Sequence, residues 1–266
     1  MIESVRALGG DIDIRFTSAA GDARKIAAAA AAEGAKIVVA AGGDGTVSEV
    51  ANGLAGSATA LGVLPIGTMN VFSKELGLPA VLSEAWNVIL KGTSREIDLP
   101  LANDLHFVQL AGVGLDAQIV KETTWQAKKK FGPLSYFFSA LQVATRPQPR
   151  LLVECNGERY HCSFVIVGNG RYYGSKITLF PKARMDDGKL DMLFFKDLGF
   201  LDIMRYVFGV LLRTHTGLAG VKYLQTDDAT VTSENEVPVE LDGELSGATP
   251  VRFRTGSRIK VIVPKV

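Results

Sequence analysis

Three glycines surround an aspartate in the segment best suited to chemistry, which reads Gly42, Gly43, Asp44, Gly45 and Thr46. An apolar run at residues 36–41 predicts a strand before it, and residues 47–54 predict a helix after it. Glycine lets the backbone approach a ligand closely, and the N-terminus of a helix attracts anions. The pattern therefore indicates an anion site, and Asp44 suits a site that also holds magnesium or a reacting hydroxyl. The alternative is a tight turn in which Asp44 caps the helix.

A second polar loop, at residues 64–70, contains Gly67, Thr68 and Asn70. It lies between a predicted strand at 61–64 and a predicted helix at 71–76. Because parallel strands end at the same edge of a sheet, we expect Thr68 and Asn70 to lie near the first loop. Taken alone, the segment could be a turn with Asn70 as a helix cap. Together the two loops favour a site for the phosphates of a nucleotide.

The elements around these loops predict an α/β fold with two domains. Helix signals at 21–33 and 80–90 alternate with the two strands, which indicates a parallel sheet covered by helices. Later strands are predicted at 151–155, 159–168, 190–195, 229–233, 237–241 and 259–263, with helices at 133–145 and 198–213. We therefore expect a three-layer α/β nucleotide-binding domain at residues 1–97 with roughly 254–266, and an antiparallel β-rich domain at 98–253. The part of the last helix at 200–212 is apolar on several sides, so it is either buried between layers or faces a membrane.

Composition excludes several classes of protein. The chain has 266 residues, and 29 Lys and Arg against 28 Asp and Glu give a net charge of +1, which argues against a general nucleic-acid binder. No apolar run reaches the roughly 18 residues of a membrane span, and the first residues lack a signal-peptide pattern, so a cytoplasmic protein is expected. An Asn156-Gly157 hairpin turn would set Cys155 opposite Glu158 and Cys162 opposite Leu151, too far apart for a disulfide. The three histidines lack ligand spacing.

Six motifs in order carry a family resemblance that spans nearly the whole chain. They begin at Gly42, Leu64, Gly112, Gly168, Pro181 and Leu241, and the last two read Pro-Lys-Ala-Arg-Met-Asp-Asp-Gly-Lys-Leu-Asp and Leu-Asp-Gly-Glu. The sequence resembles the diacylglycerol kinase catalytic-domain superfamily, the bacterial lipid kinases related to diacylglycerol, sphingosine and ceramide kinases. NAD kinases share the first motif, and phosphofructokinases share it in part. The combination with the last two motifs is far more specific.

The resemblance implies ATP- and magnesium-dependent transfer of the γ-phosphate to diacylglycerol or a related lipid alcohol at the membrane surface, as in phospholipid biosynthesis. It implies Glu244 as the catalytic base, with Asp44 as the other candidate, and a structural magnesium site at Arg184, Asp187 and Lys189. The residues that it implies for ATP binding are Thr17, Gly42, Gly43, Asp44, Gly45, Thr46, Glu49, Gly67, Thr68 and Asn70. A homodimer is one option for the assembly.

Two departures from the family pattern leave other functions open. Val71 stands where the family usually has an aspartate, and the sequence shows no match to the family's opening strand with its Asn-Pro-x-Ser/Gly loop. One alternative is an NAD-kinase-like enzyme with a soluble acceptor, which does not account for the second loop together with Asp242-Gly243-Glu244. The other is a non-catalytic protein that binds a nucleotide or a lipid.

Overall fold

The computed structural model describes residue 3 and residues 11–114, 148–174, 177–196 and 199–265. The chain divides into two compact units. The first contains the residues up to Leu99 together with Ser257–Val266, and the second is Pro100–Gly256. The helix predicted at 133–145 lies outside the described residues.

The first unit is a parallel sheet with helices packed against it. Its elements are α1 (Asp22–Ala32), β1 (Ile37–Gly42), α2 (Asp44–Leu54), β2 (Ala60–Pro65), α3 (Val71–Glu75), α4 (Leu82–Lys91), most of β3 (Thr93–Ala102) and the second half of β16 (Val251–Val263). Strand β2 pairs in parallel with β1 and, through Ala60 and Leu61, with Lys260 and Val261 of β16. The predicted parallel sheet is therefore confirmed.

Helices cover this sheet because β2 is apolar on both faces. All six β2 residues are buried, as expected for the central strand of a parallel sheet. A Cβ at Gly62 would lie 3.2 Å from Ile89 of α4, which places α4 on that face. Helices α1 and α2 approach each other so closely that a Cβ at Gly53 would lie 2.3 Å from the Arg24 carbonyl oxygen. This packing fixes where α2 begins, and hence the position of the first glycine loop.

The second unit is a pair of antiparallel sheets. The first contains β6 (Leu151–Cys155), β7 (Glu158–Cys162), β13 (Asp228–Ser233) and the first half of β16. The second has the order β12-β11-β8-β5-β14-β15, and its strands are β5 (Leu110–Val113), β8 (Phe164–Gly168), β11 (Leu190–Phe195), β12 (Val221–Thr226), β14 (Pro238–Leu241) and β15 (Glu244–Ala248). Three short strands complete the unit: β4 (Leu105–His106), β9 (Tyr172–Tyr173) and β10 (Ile177–Thr178).

The second sheet is covered on both faces, which explains why β8 and β11 are buried along their whole length. Met192 and Phe194 of β11 face the core shared with the first sheet. Leu193 and Phe195 face a separate core that includes residues of α5 (Phe200–Leu211). A short 3₁₀ helix, His215–Gly217, follows α5. The predicted antiparallel β-rich character of this half is confirmed.

Three boundaries differ from the sequence-based expectation. Residues 159–168 form two strands that belong to different sheets, β7 and β8, rather than one strand. The chain leaves one sheet and enters the other at Ser163, whose backbone N–H donates to the Phe195 carbonyl. Helix α2 begins at Asp44 rather than at residue 47, and β16 begins at Val251 rather than at residue 259. Sequence analysis also did not predict β3, β5, β12 and β15, or the short strands β4, β9 and β10.

Among the described residues, no helix combines the length and the apolar character that crossing a bilayer requires.

The two cysteines are free and buried, and the hairpin register predicted for them is confirmed. Cys155 pairs with Glu158 and Cys162 with Leu151 across β6 and β7. Burial raises the pKa of both thiols, that of Cys162 to about 12. Since only the thiolate is a strong nucleophile, both side chains should be chemically inert in the folded protein.

We therefore expect iodoacetamide at pH 8 to modify the native protein at least tenfold more slowly than the protein unfolded in guanidinium chloride. Intact-mass spectrometry over time measures both rates, and peptide mapping assigns each modified thiol. Rapid modification of Cys162 in the native protein would contradict the buried position of this residue.

Candidate active site

The first glycine loop joins the end of β1 directly to the start of α2. Gly43 is extended, with φ −87° and ψ −173°, and is the N-cap of the helix. The Val47 N–H closes the first turn on the Gly43 carbonyl at 3.1 Å. The N–H groups of the first helical turn, which have no partner within a helix, therefore open onto the loop. They are suited to bind an anion.

The second loop lies directly against the first. A Cβ at Gly67 would lie 2.5 Å from the Cα of Gly43, and the Ile66 N–H donates to the Gly42 carbonyl at 3.1 Å. A Cβ at Gly42 would lie 2.5 Å from Oγ1 of Thr46. No side chain fits between the two backbones at this distance. The loops therefore form one continuous surface at the carboxyl ends of β1 and β2.

Asp44 joins the first loop to the start of α3, and Asn70 closes the second loop on itself, so neither side chain caps its own helix. Asp44 Oδ1 accepts the backbone N–H of Phe72, in the first turn of α3, at 3.2 Å. Asn70 occupies the N-cap position of α3 with φ 47°, but its side chain makes no capping bond. Instead, Nδ2 donates to the carbonyls of Gly67 at 2.7 Å and Pro65 at 3.3 Å. Asp44 Oδ2 has no hydrogen-bond partner among the described residues, so it remains available to a ligand.

Glu49, which the family resemblance implies as a nucleotide contact, binds the start of another helix. Its two carboxylate oxygens accept the N–H groups of Gly21 at 2.8 Å and Ala23 at 3.0 Å. A carboxylate at this place accepts backbone N–H groups at the start of α1 and is stabilised by the positive end of the helix dipole. Glu49 thus fixes α2 to the loop that precedes α1.

Thr17 is exposed in that loop, next to a turn closed by Asp22. The Asp22 carboxylate accepts the Ser18 N–H at 2.9 Å, the Ser18 hydroxyl at 2.8 Å and the Ala19 N–H at 2.9 Å. Hydrogen bonds from Ser18 and then Ala19 lower the pKa of the Asp22 carboxyl. Thr68 is also exposed, in the second loop, whereas Thr46 is half-buried against Gly42.

In the second unit, Glu244 stands at the tip of a tight hairpin. Leu241 of β14 pairs with Glu244 of β15 across a two-residue turn. The turn residues Asp242 and Gly243 have φ 51° and 88°, both in the left-handed region, as a type I′ turn requires. The Glu244 side chain is exposed and has no hydrogen-bond or ionic partner in the part of the chain that the structure describes. Its carboxylate is therefore free to accept a proton from a ligand.

The Asp242 side chain binds three consecutive buried backbone groups. Oδ1 accepts the N–H groups of Gln109 at 2.8 Å and Leu110 at 3.2 Å, and Oδ2 accepts that of Val108 at 2.8 Å. The Asp242 N–H in turn donates to the Leu110 carbonyl at 2.8 Å. These bonds fix the hairpin turn to the start of β5. Sequence analysis missed this role, although an Asp-Gly pair beside an apolar strand is itself a hairpin signal.

The loop implied as a metal site is a tight turn. Asp187 Oδ1 accepts the N–H of Lys189 at 3.1 Å, and Gly188 has φ 68°. The Arg184 side chain points to Asp186, at 3.3 Å, rather than to Asp187. No group of three or more potential metal-binding side chains occurs among the described residues. Any metal here would therefore depend on one carboxylate with backbone carbonyls.

Asp191, two residues after this turn, is buried at the start of β11. Burial raises the pKa of its carboxyl, although Tyr223 and Gln225 donate hydrogen bonds to it. The nearby Asp187 raises it further. This carboxyl is satisfied by side chains of the neighbouring strand β12.

Comparisons with known proteins match both units. The family model "Diacylglycerol kinase catalytic domain" matches residues 1–102, and "YegS C-terminal NAD kinase beta sandwich-like domain" matches residues 109–265. The crystal structure of a diacylglycerol kinase from Bacillus anthracis strain Sterne superposes with a TM-score of 0.78 at 28% identity, covering 97% of this chain and 88% of that one.

Two curated relatives align over most of their length. The protein named "Probable lipid kinase YegS-like" from Chromohalobacter salexigens is 35% identical over 90% of this chain and 79% of its own. The "Diacylglycerol kinase" of Bacillus subtilis is 28% identical over 100% of this chain and 90% of its own. The fold and these matches define a lipid kinase. The chain belongs to the family with the diacylglycerol kinase catalytic domain.

Replacement of Asp242 tests its role as a clamp. Asp242→Ala leaves three buried N–H groups without their acceptor, so we expect the free energy of unfolding to fall by about 2–4 kcal/mol. Urea unfolding followed by circular dichroism measures the change. The control is Asp104→Ala, an exposed aspartate in a nearby turn, for which we expect less than about 0.5 kcal/mol. Equal effects of the two substitutions would show that the clamp contributes nothing.

Proposed function

We propose that this lipid kinase transfers the γ-phosphate of ATP to the hydroxyl of diacylglycerol or a closely related lipid alcohol. The observation that carries the proposal is the contact between the two glycine loops at the N-terminus of α2. That contact makes a surface of backbone N–H groups suited to phosphates, within a chain whose family consists of lipid kinases. The name of the Bacillus subtilis relative supports diacylglycerol as the acceptor.

The first unit binds the nucleotide in this proposal. N–H groups of the 43–46 turn hold phosphate oxygens, and the hydroxyls of Thr17, Thr46 and Thr68 donate further hydrogen bonds. Asp44, through Oδ2, is the carboxylate suited to hold magnesium, and a bound magnesium ion neutralises charge on the phosphates. Gly42, Gly45, Gly67 and Asn70 shape the loops, and Glu49 positions the Thr17 loop rather than contacting ATP.

The second unit supplies the base. As the lipid oxygen forms its bond to the γ-phosphorus, the bond from that phosphorus to the β–γ bridging oxygen breaks and ADP leaves. Glu244 accepts the hydroxyl proton in this step. Its exposed carboxylate, on a turn fixed by Asp242, supports the assignment. Asp44 is engaged with Phe72 through Oδ1, which supports a positioning and metal-binding role for it instead.

A structural cation at the 184–189 turn is a separate part of the proposal. The Asp187 carboxylate and the backbone carbonyls of Arg184 and Lys189 are hard oxygen donors, the type that magnesium and calcium prefer. Bound there, the ion would brace the turn.

Glu244→Gln tests the base. We expect kcat for transfer of ³²P from ATP to diacylglycerol in mixed micelles to fall at least 100-fold, while KM for ATP stays within about twofold. Glu236→Gln, which changes another exposed glutamate of the same unit, should behave as the wild type. A variant with unchanged kcat would remove Glu244 from the mechanism. Wild-type transfer to NAD but to no lipid would favour the soluble-acceptor alternative.

Gly67→Ala tests the contact between the loops. Because the added methyl would meet the Gly43 backbone at 2.5 Å, the loops must separate, and we expect the Kd for ATP to rise at least tenfold. Isothermal titration calorimetry measures the affinity. Gly217→Ala is the matched control, since a Cβ there meets nothing within 4 Å. If Gly67→Ala binds ATP as tightly as the control does, the nucleotide lies elsewhere.

A further inference from the structure

Helix α5 is apolar on two opposite faces. Its inner face packs Ile203 and Tyr206 against the second sheet, and Gly209 lies against the following 3₁₀ helix. Its outer face carries large apolar side chains that are 55–79% exposed, namely Phe200, Leu201, Phe208, Leu211 and, at the C-cap, Leu212. The sequence left open whether this helix is buried or faces a membrane, and the structure shows one buried face and one exposed face.

The exposed side chains form a single stripe. At about 100° per residue, these five and the half-buried Met204 fall within an arc of about 120° on the side opposite Ile203 and Tyr206. Without Met204, the other five make up five of the thirteen large hydrophobic residues that are exposed among the described residues. Scattered exposed apolar residues need no explanation, but a contiguous set marks an interaction site. We call these six residues the α5 stripe.

Cationic side chains border the α5 stripe. Arg205 lies at its edge, and Arg213 is exposed just beyond the helix. Lys196 is exposed too, and it lies near Arg205. The Lys196 backbone N–H donates to the Gly220 carbonyl, and the Arg205 side chain donates to the adjacent Ala219 carbonyl at 2.7 Å. The helix itself carries one acidic residue, Asp202, and that carboxylate forms an ion pair with Arg205 at 3.2 Å. The border therefore complements an anionic surface.

We propose that the α5 stripe docks the protein on the surface of an anionic lipid bilayer. The inference rests on the proposed function, because a diacylglycerol acceptor lies in a bilayer and the enzyme must reach it there. A helix of 12 residues is about 18 Å long, which is too short to span a bilayer but suited to lie in its interface. Pairing the stripe with a second copy would bring its cationic border against itself, whereas anionic headgroups neutralise that border.

The test is binding to vesicles of phosphatidylcholine and phosphatidylglycerol that contain no diacylglycerol, without nucleotide. Leu201→Gln/Leu211→Gln removes two apolar side chains of the stripe, and Leu82→Gln/Leu105→Gln makes the same change at two exposed leucines elsewhere. We expect wild type and control to sediment with the vesicles, and the partition coefficient of the stripe variant to be at least tenfold lower. Replacing phosphatidylglycerol with phosphatidylcholine should weaken wild-type binding.

Activity and oligomeric state show whether a loss of vesicle binding comes from the docking surface itself. The stripe variant should keep wild-type kcat on a water-soluble short-chain diacylglycerol and lose activity on diacylglycerol in vesicles. The proposal would be overturned if the stripe variant bound vesicles as tightly as the wild type does. It would also be overturned if the wild type were a dimer and the variant a monomer that still bound vesicles, because the stripe would then be a dimer interface. If the wild type transfers no phosphate to any lipid but binds vesicles through the stripe, the docking surface stands and the proposed function fails.

Discussion

The close contact between the backbones of Gly43 and Gly67 is the constraint on which the first unit depends. It requires two residues without side chains at the ends of two neighbouring parallel strands. It also requires that α2 begin at once after β1, because a longer connection would carry Gly43 away from Gly67. The tight packing of α1 on α2 through Gly53 serves the same end, since it sets the position of α2 on the sheet. The arrangement of the two loops at this edge is thus a product of the whole layer.

Carboxylates hold both candidate site regions in place by accepting backbone N–H groups. Asp44 binds the start of α3, Glu49 the start of α1, and Asp242 the segment before β5. In each case the acceptor is a carboxylate, and a hydrogen bond to a charged acceptor is stronger than one between neutral groups. Glu244 differs because its carboxylate is exposed and has no such bond within the described residues. A base must keep its oxygens for the substrate, and among these four carboxylates Glu244 meets that condition best.

The sequence allowed much of the fold to be predicted and less of the site. Glycine spacing and apolar periodicity located both loops, the parallel sheet and most strands, because these signals are local. The break between β7 and β8 at Ser163 was not predictable, since no glycine or proline interrupts residues 159–167. Only strand pairing separates the two halves, because β7 pairs with β6 and β8 pairs with β11. Nor could the sequence distinguish a carboxylate that clamps backbone from one that contacts a ligand. Glu49 and Asp242 acquire their roles from N–H groups that lie 26 to 134 residues away in the chain.

Strand β16 gives its first half to the second unit and its last half to the first. Residues 257–263 include the parallel partner of β2, and β1 and β2 themselves end by Pro65. During synthesis, β1 and β2 emerge early but cannot complete their sheet until nearly two hundred further residues have been added. One edge of β2 therefore stays unpaired for that interval, and an unpaired apolar edge is prone to aggregate. The order of synthesis thus favours folding of the β-rich unit before, or together with, completion of the first unit.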